Sequence, residues 1–172
     1  VLHRVKSRYP GARLLYVGDG QMPSDSQAVE EEAIRLGLMS DVTITGFLPM
    51  DEAWKLVKQA DICFSPIYPS PVFLPASPTK LIEYMAMGKC VVANELPEQC
   101  QVMEDSGIGR CVEWDEKAFA DAVFYLLEDP ERAKNMAAKG PDWVRKNRTY
   151  DVIADLVESE YEKILGKAIC PT

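Results

Sequence analysis

Residues 76–90 (ASPTKLIEYMAMGKC) place a hydroxyl, a lysine and a carboxylate around the start of a predicted helix. Ser77 is expected to be the N-cap, with Pro78 at the first helical position. Lys80 lies in the first turn, where free N–H groups and the helix dipole already make the helix end positive. A bound anion would stabilise a lysine there, so the stretch predicts an anion site. An exposed ion pair between Lys80 and Glu83 is the alternative.

The helical spacing of this stretch separates a polar face from an apolar one. Thr79, Lys80 and Glu83 lie within three or four positions of each other and therefore share one face. A ligand would meet the backbone N–H groups of the first turn and, one turn later, the Glu83 carboxylate. The opposite side is apolar and is expected to be buried; it comprises Leu81, Ile82 and Met85.

A second candidate for ligand contact is the turn GDG, residues 18–20, which follows the apolar run RLLYV. Glycines after a buried strand let a nucleotide or sugar approach the backbone closely. The dinucleotide fingerprint G-x-G-x-x-G would need glycine at position 23, and Pro23 stands there, so a nicotinamide-type site is disfavoured. A turn that needs glycine only for its backbone geometry is the alternative interpretation.

A connection dense in proline precedes the first candidate stretch. Its prolines restrict the unfolded chain and stiffen the loop; they are Pro66, Pro69, Pro71, Pro75 and Pro78. The apolar residues in its middle, Val72, Phe73 and Leu74, are expected to pack into the core. If they were exposed instead, they would form a lid or a docking surface.

The histidine and cysteine content excludes several kinds of site. His3 is the only histidine, so Ser-His-Asp, Cys-His and His-based zinc sites are disfavoured, and no catalytic residue is assigned. The five cysteines are odd in number and show no C-x-x-C spacing: Cys63, Cys90, Cys100, Cys111 and Cys170. Cys63 and Cys111 lie in apolar runs and are expected to be buried thiols, which indicates a reducing, cytoplasmic setting.

Length and charge narrow the class of protein further. The chain has 172 residues, 47% of them hydrophobic, as in an ordinary globular domain. Its net charge of −8 argues against nucleic-acid binding. No apolar run approaches the roughly 20 residues of a membrane span, and no signal peptide is visible. The first residues resemble the last turns of a helix already under way, so the chain is expected to be a fragment of a longer protein.

Apolar runs and helical patterns alternate along the chain. Strands are predicted at 13–20, 41–47, 61–67, 90–95 and 109–114. Helices are predicted near 25–37, 50–60, 79–87, 97–105, 115–130, 131–140 and 150–166. This order predicts an α/β fold, a doubly wound, Rossmann-like parallel sheet with a helical C-terminal segment. Ligands of such folds bind at the carboxyl ends of the strands, where both candidate stretches fall.

The segments LLYVGDG, VTITGF, ADICFSPI, SPTKLIEYMAMGKCVVANELPEQ, GIGRCVEW and FADAVFYLLEDPERAKNMAAKG occur in that order. Together they resemble the C-terminal, donor-binding domain of family 4 retaining glycosyltransferases, which have the two-domain GT-B fold. The resemblance covers nearly the whole chain and is most specific in SPTKLIEYMAMGKCVVA. It implies an enzyme that transfers a sugar from a nucleotide-diphosphate sugar to an acceptor with retention of anomeric configuration.

The resemblance also implies roles for particular residues. The helix start formed by Ser77, Pro78, Thr79 and Lys80 would hold the diphosphate, and Glu83 would bind the ribose. The loop that begins with Gly18, Asp19 and Gly20, and the backbone at Phe47 and Leu48, would lie beside the nucleotide. Members of the family typically need no metal and no cofactor, because helix N–H donors and positive groups stabilise the departing diphosphate.

Two departures from the family pattern are visible. The family often has a glutamate eight positions before the one that matches Glu83, and Pro75 stands at that position. Members also begin this domain with a central strand and a G-R-x-x-x-x-K-G stretch, and the present chain starts after both. The isolated chain is therefore expected to have no transferase activity.

The expected organisation is a donor-binding domain over 1–148 and a terminal helix over 149–172 that would pack toward an absent N-terminal domain. Parts of the helix's apolar stripe should then be exposed. The expected partner is a nucleotide sugar; the acceptor, and any membrane contact, would depend on the absent domain. The alternatives are half of a sugar-nucleotide 2-epimerase, or a non-catalytic interaction module whose donor site has decayed.

Overall fold

The computed structural model of the chain describes residues 1–166. Helices and strands alternate along this range, as predicted. The helices are α1 (Leu2–Lys6), α2 (Pro23–Arg35), α3 (Met50–Gln59), α4 (Thr79–Ala86), α5 (Pro97–Ser106), α6 (Glu116–Leu127), α7 (Pro130–Ala137), α8 (Gly140–Asn147) and α9 (Tyr150–Leu165). The strands are β1 (Leu14–Tyr16), β2 (Val42–Ile44), β3 (Ile62–Ser65), β4 (Cys90–Asn94) and β5 (Arg110–Val112). A short 3₁₀ helix, Met39–Asp41, leads into β2.

The strands form two sheets, and all pairings within them are parallel. In the first sheet β1 pairs with β2, and Leu14 lies opposite Val42. In the second sheet β4 lies between β3 and β5, so that Val92 has Phe64 on one side and Arg110 on the other. Among the described residues no strand joins β1 to β3, so each of these two strands has one unpaired edge.

The second sheet is covered by helices on both faces. Every residue of β4 is buried. Since side chains alternate along a strand, Val91 packs on one face with Met85 of α4, and Val92 packs on the other with Phe119 of α6. Burying each such side chain contributes roughly 1.5–3 kcal/mol. This arrangement confirms the predicted α/β class with helices on both sides of a parallel sheet.

The prediction that the first strand is buried is wrong for its central part. Leu15 is 38% exposed and Tyr16 is 43% exposed. β1 has a neighbouring strand on one side only, because its second edge is unpaired within the described residues. A strand with a neighbour on one side only can have the apolar sequence of a buried strand while its side chains stay exposed.

Gly140 begins a helix, although the sequence indicates that it ends one. α7 ends at Ala137, and α8 starts at Gly140 and packs against α4. A Cβ at Gly140 would collide with the carbonyl oxygen of Met85. The glycine is needed for this close approach of two helices rather than for a turn.

The expectation of a buried thiol at Cys111 is wrong. Cys111 in β5 forms a disulfide with Cys100 in α5, over a sequence separation of 11 residues. Cys63 and Cys90 are free and buried, as expected for Cys63. The pairing depends on the packing of α5 against β5, which the spacing of the cysteines does not reveal. Cys170 lies outside the described residues.

The expectation that residues 72–74 pack into the core is also wrong. Val72 is 78% exposed, and Phe73 and Leu74 are exposed as well. The segment closes its own turns, since the Phe73 N–H donates to the Ser70 carbonyl at 2.9 Å. These turns satisfy the backbone locally and hold the apolar side chains at the surface.

The terminal helix α9 exposes its apolar stripe, as expected. Leu156, Tyr161 and Ile164 are all exposed. None of the helices within residues 1–166 combines the length and the apolar character that crossing a bilayer requires. The last part of the segment 149–172, residues 167–172, lies outside the described residues, and the proposed division of the chain at residue 148 stays a prediction.

Candidate functional site

The GDG turn follows directly from the end of β1. Gly18 has a φ of +128°, which side chains rarely tolerate, and a Cβ there would meet open space. Its N–H donates to the Thr45 hydroxyl at 3.0 Å. The backbone of the turn is therefore accessible on one side. On the other side it is hydrogen-bonded to the loop that follows β2.

Asp19 is held in place by the start of α2. Its carboxylate accepts hydrogen bonds from the Ser26 hydroxyl at 2.5 Å and from the Gly20 N–H at 2.8 Å. These two bonds, the Ser26 bond foremost, lower the pKa of the Asp19 carboxyl below its ordinary value. A Cβ at Gly20 would collide with Asp25, so the turn packs tightly on α2. Asp19 is an ionised, oriented group at physiological pH.

The GDG turn lines a cleft of about 270 Å³. The other walls come from the end of β1, from β2 and from α2, and include Tyr16, Ser26, Val29 and Ile44. The cleft is open to solvent and combines apolar walls with the polar groups of the turn. Such a combination suits a ligand that has both a flat apolar part and hydrogen-bonding groups.

Phe47 and Leu48 follow a backbone bridge to the GDG turn. Gly18 and Gly46 form an antiparallel bridge, and the Thr45 N–H donates to the Tyr16 carbonyl at 3.0 Å. Phe47 is 88% exposed, and Leu48 is half-buried. An aromatic side chain this exposed has little packing to maintain and is available for contact with a ligand.

The helix that carries the lysine starts one residue later than predicted. Pro78 is the N-cap of α4, no side chain caps the helix, and Thr79 is its first residue. The expectation that Ser77 caps it is therefore wrong: the Ser77 hydroxyl donates instead to the Glu98 carboxylate at 3.4 Å. The first turn contains no acidic residue. The Leu81 N–H donates to the Pro78 carbonyl at 3.2 Å. The first-turn N–H groups that lack an intrahelical acceptor form, together with Lys80, a positive helix end without a protein counter-charge on the same turn.

The alternative of an ion pair between Lys80 and Glu83 finds no support. None of the ion pairs formed by the described residues involves either side chain. Leu81 and Met85 are buried behind them, as predicted, whereas Lys80 is exposed and Glu83 is half-buried. Helix packing therefore leaves the polar face of α4 accessible.

Two charged residues near this helix end were not singled out from the sequence. Glu98, in the first turn of α5, accepts the bond from Ser77 and a second one from Arg148 at 2.8 Å. The segment NELPEQ marks the neighbourhood of Glu98, since it follows β4. Arg148 stands at the end of α8, 50 positions away, and no local signal points to it.

The predicted site residues fall into two groups. The loops after β1 and β2 bring together Gly18, Asp19, Gly20, Phe47 and Leu48. The loop after β3 and the start of α4 bring together Ser77, Pro78, Thr79, Lys80 and Glu83. Over residues 1–166 no side-chain hydrogen bond or ion pair joins one group to the other. The same range contains no cluster of three or more His, Cys, Asp or Glu side chains that could hold a metal ion.

An α/β domain with candidate ligand groups at the carboxyl ends of its parallel strands belongs to the broad class of doubly wound folds, whose ligands bind at that edge of the sheet. Comparison with known proteins narrows that class. The profile of the family Glycosyl transferases group 1 matches residues 1–129. The chain therefore belongs to this family.

Similar proteins agree with this assignment. The phosphatidyl-myo-inositol mannosyltransferase of Mycobacterium tuberculosis (strain CDC 1551 / Oshkosh) is 28% identical over 172 residues, 96% of this chain and 42% of that protein. The structure of a glycosyltransferase from Rickettsia africae ESF-5 superposes with a TM-score of 0.78 at 22% identity, over 96% of this chain and 43% of that one. HepE from Anabaena in complex with UDP-glucose has a TM-score of 0.74 at 18% identity, over 94% and 44%.

These matches confirm the fold as the C-terminal half of a GT-B glycosyltransferase. The chain spans less than half the length of the relatives and structures that it matches. At these identities the structures establish the shared fold and do not transfer a ligand to this chain.

Proposed function

We propose that this chain is the donor-binding part of a glycosyltransferase that uses a nucleotide-diphosphate sugar. The observation that carries the proposal is the start of α4. Its first turn contains no acidic residue and no side chain caps it, and Lys80 adds a cation at the positive end. Since a diphosphate supplies the missing negative charge, it converts an unfavourable arrangement into a favourable one.

The remaining predicted residues fit the same ligand. Glu83, one turn after Thr79, would accept hydrogen bonds from ribose hydroxyls. The GDG turn and the exposed Phe47 offer a glycine backbone and an aromatic surface for the nucleoside. The complex of HepE with UDP-glucose supports this class of ligand for a relative of the same fold.

For the reaction, we propose retention of anomeric configuration. The bond between the anomeric carbon and the diphosphate breaks as the acceptor oxygen attacks from the same side. The departing phosphate takes the proton of the acceptor hydroxyl, which suits a chain whose only histidine is His3. The helix N–H groups and Lys80 stabilise the charge on the leaving group, and no metal or cofactor is proposed. The acceptor would bind the other domain of the full-length enzyme, and the chain alone would be inactive. A cytoplasmic location stays a prediction, and the Cys100–Cys111 disulfide is unusual for a reducing compartment.

Calorimetric titration of the 172-residue chain with UDP, GDP and ADP tests the proposal. We expect at least one of them to bind. Lys80→Ala should weaken binding about 3- to 30-fold, because a charge-assisted contact is lost. Lys134→Ala removes the same charge from the exposed face of α7 and should leave the affinity unchanged. Absence of binding by all three nucleotides would instead favour the non-catalytic interaction module.

Glu83→Ala separates a ribose contact from a structural role. We expect weaker binding of the nucleotide and an unchanged thermal unfolding midpoint, because the Glu83 carboxylate supports no hydrogen bond to the described part of the protein. Unfolding at a lower temperature with undiminished affinity would assign Glu83 to the fold and not to the site.

A further inference from the structure

The loop over residues 66–78 connects β3 to α4 and thus determines where the positive helix end lies. At its beginning, the hydroxyl of Ser65 donates to the side-chain oxygen of Gln99 at 2.6 Å. Both side chains are fully buried. A buried hydrogen bond between neutral groups is costly to break, because each partner would be left without a partner in a dry environment.

Asn94 extends this attachment into the loop itself. Its side-chain amide forms two bonds with the backbone of Ile67: the Ile67 N–H donates to Oδ1 at 2.8 Å, and Nδ2 donates to the Ile67 carbonyl at 2.9 Å. Gln99 Nε2 in turn donates to the Asn94 carbonyl at 3.0 Å. The second residue of the loop is therefore held from both of its backbone groups.

The other end of the loop is held by Glu98, the residue before Gln99. The Glu98 carboxylate accepts the Ser77 hydroxyl at 3.4 Å and the Arg148 guanidinium at 2.8 Å. The guanidinium of Arg148 also lies over the ring of Trp143, and its central carbon, Cζ, is 5.7 Å from the ring centroid. Arg148 fixes the carboxylate, and the carboxylate can then hold Ser77, two residues before α4 begins.

Adjacent residues of α5 thus hold both ends of one loop, and α5 itself is firmly fixed. Leu96, its N-cap, is fully buried, and Cys100 is bonded to Cys111 in β5. Between Ser65 and Ser77 the loop contains four prolines and closes its own turns, which restricts its backbone.

We infer that Glu98, Gln99 and Asn94 are positioning residues for the phosphate site at the start of α4. They act through the loop and touch no ligand themselves. The inference deepens the proposed function and rests on it for the identity of the ligand. According to this inference, α5 determines the path of residues 66–78. Through Ser77 it also determines the direction in which the first N–H groups of α4 point.

Glu98 offers the decisive variants, because it is partly exposed and its substitution leaves the core intact. Glu98→Ala removes the bond to Ser77, whereas Glu98→Gln keeps an oxygen that can accept it. Glu116→Ala is the matched control: Glu116 pairs with an arginine, Arg4, at the same 2.8 Å in a distant, exposed position. Gln99→Met is a second variant that releases the beginning of the loop.

Two measurements on the 172-residue chain are needed: amide hydrogen exchange without ligand, and affinity for the nucleoside diphosphate that the wild type binds. Glu98→Ala should raise exchange in peptides covering 66–81 about tenfold and weaken affinity about 3- to 10-fold, with exchange in β4 unchanged. Glu98→Gln and Glu116→Ala should resemble the wild type. Gln99→Met should also raise exchange in these peptides, first in the part that covers the beginning of the loop.

The inference would be overturned if Glu98→Ala had the same exchange rates and the same nucleotide affinity as the wild type. A rise in exchange that extends to β4 would also overturn it, because it would show general destabilisation. If the wild type binds no nucleoside diphosphate, the proposed function fails, and the role of α5 is decided by exchange alone. A rise confined to 66–81 would then support it, and unchanged exchange would refute it.

Discussion

The contact between α8 and α4 can be tested with a single added methyl group. In Gly140→Ala the new Cβ would collide with the Met85 carbonyl oxygen and lie 3.3 Å from the Met85 Cα. Met85 cannot move aside cheaply, since its side chain is fully buried and its carbonyl accepts the Gly88 N–H at 3.0 Å. Overpacking of this kind costs about 1–3 kcal/mol of the free energy of unfolding.

A glycine-to-alanine change also restricts the unfolded chain, which stabilises a protein by about 0.4–1 kcal/mol. Gly11→Ala provides a control for this effect, because a Cβ at Gly11 would meet nothing within 4 Å. The difference between the two variants therefore isolates the collision. For a chain of this size we expect Gly140→Ala to unfold about 2–12 °C below Gly11→Ala.

Thermal unfolding followed by circular dichroism measures this difference, with the wild type in parallel. The nucleotide affinity of Gly140→Ala should fall as well, because α8 supports the helix that carries Lys80. Midpoints of the two alanine variants within about 1 °C of each other would refute the reasoning, since the packing of α8 on α4 would then tolerate a side chain.

Three further predictions concern Asp19 and the cysteines. Ser26→Ala removes the main cause of the lowered pKa of Asp19, so an NMR titration should find a higher pKa for Asp19 in the variant. A carboxyl group with a lowered pKa stabilises the fold at pH values above its unfolded pKa, and this stability is lost as the pH falls through the folded pKa. The variant should therefore lose less stability in acid than the wild type. Burial raises the pKa of Cys63 to about 11, so alkylation followed by mass spectrometry at neutral pH should label it far more slowly in the folded chain than in urea. Replacing both Cys100 and Cys111 by serine should lower the free energy of unfolding in urea by about 2–4 kcal/mol, and an unchanged midpoint would contradict that expectation.

Predictions from the sequence succeeded where local pattern and packing agree. The run CVVAN is apolar on both faces, and β4 is buried on both faces. Gly88 was expected to end the helix that begins near Thr79, and it follows α4 with a φ of +67°. In such places a short stretch of sequence contains all the information that decides the structure.

Two of the failures occur where a distant residue decides, and a third occurs in a loop that closes its own turns. Ser77 has the chemistry of an N-cap, but its hydroxyl donates to Glu98, which lies 21 positions further along the chain. Cys111 resembles a buried thiol until α5 brings Cys100 beside it. Val72 is apolar enough for a core and lies outside it, because the turns of its loop close on themselves.

The sequence proposes the parts of the candidate site and not their support. Helix and turn chemistry single out Lys80, Glu83 and the GDG turn, the resemblance supplies their roles, and these roles stay predictions. The residues that hold these parts in place, Gln99 and Arg148, have no local signal, since their roles arise from contacts across 34 and 50 positions. The titrations with UDP, GDP and ADP test the ligand itself.

Within residues 1–166, β1 and β3 each have an edge that pairs with no other strand, and this has a consequence for how the chain behaves in solution. Each edge presents a row of free N–H and C=O groups, and such edges pair readily with other chains. Neither strand contains a lysine or a proline, the residues with which natural edges prevent such pairing, and the exposed Leu15 and Tyr16 add an apolar surface. Purified at high concentration, the chain is therefore expected to associate strand to strand, and the association should depend on concentration more than on salt.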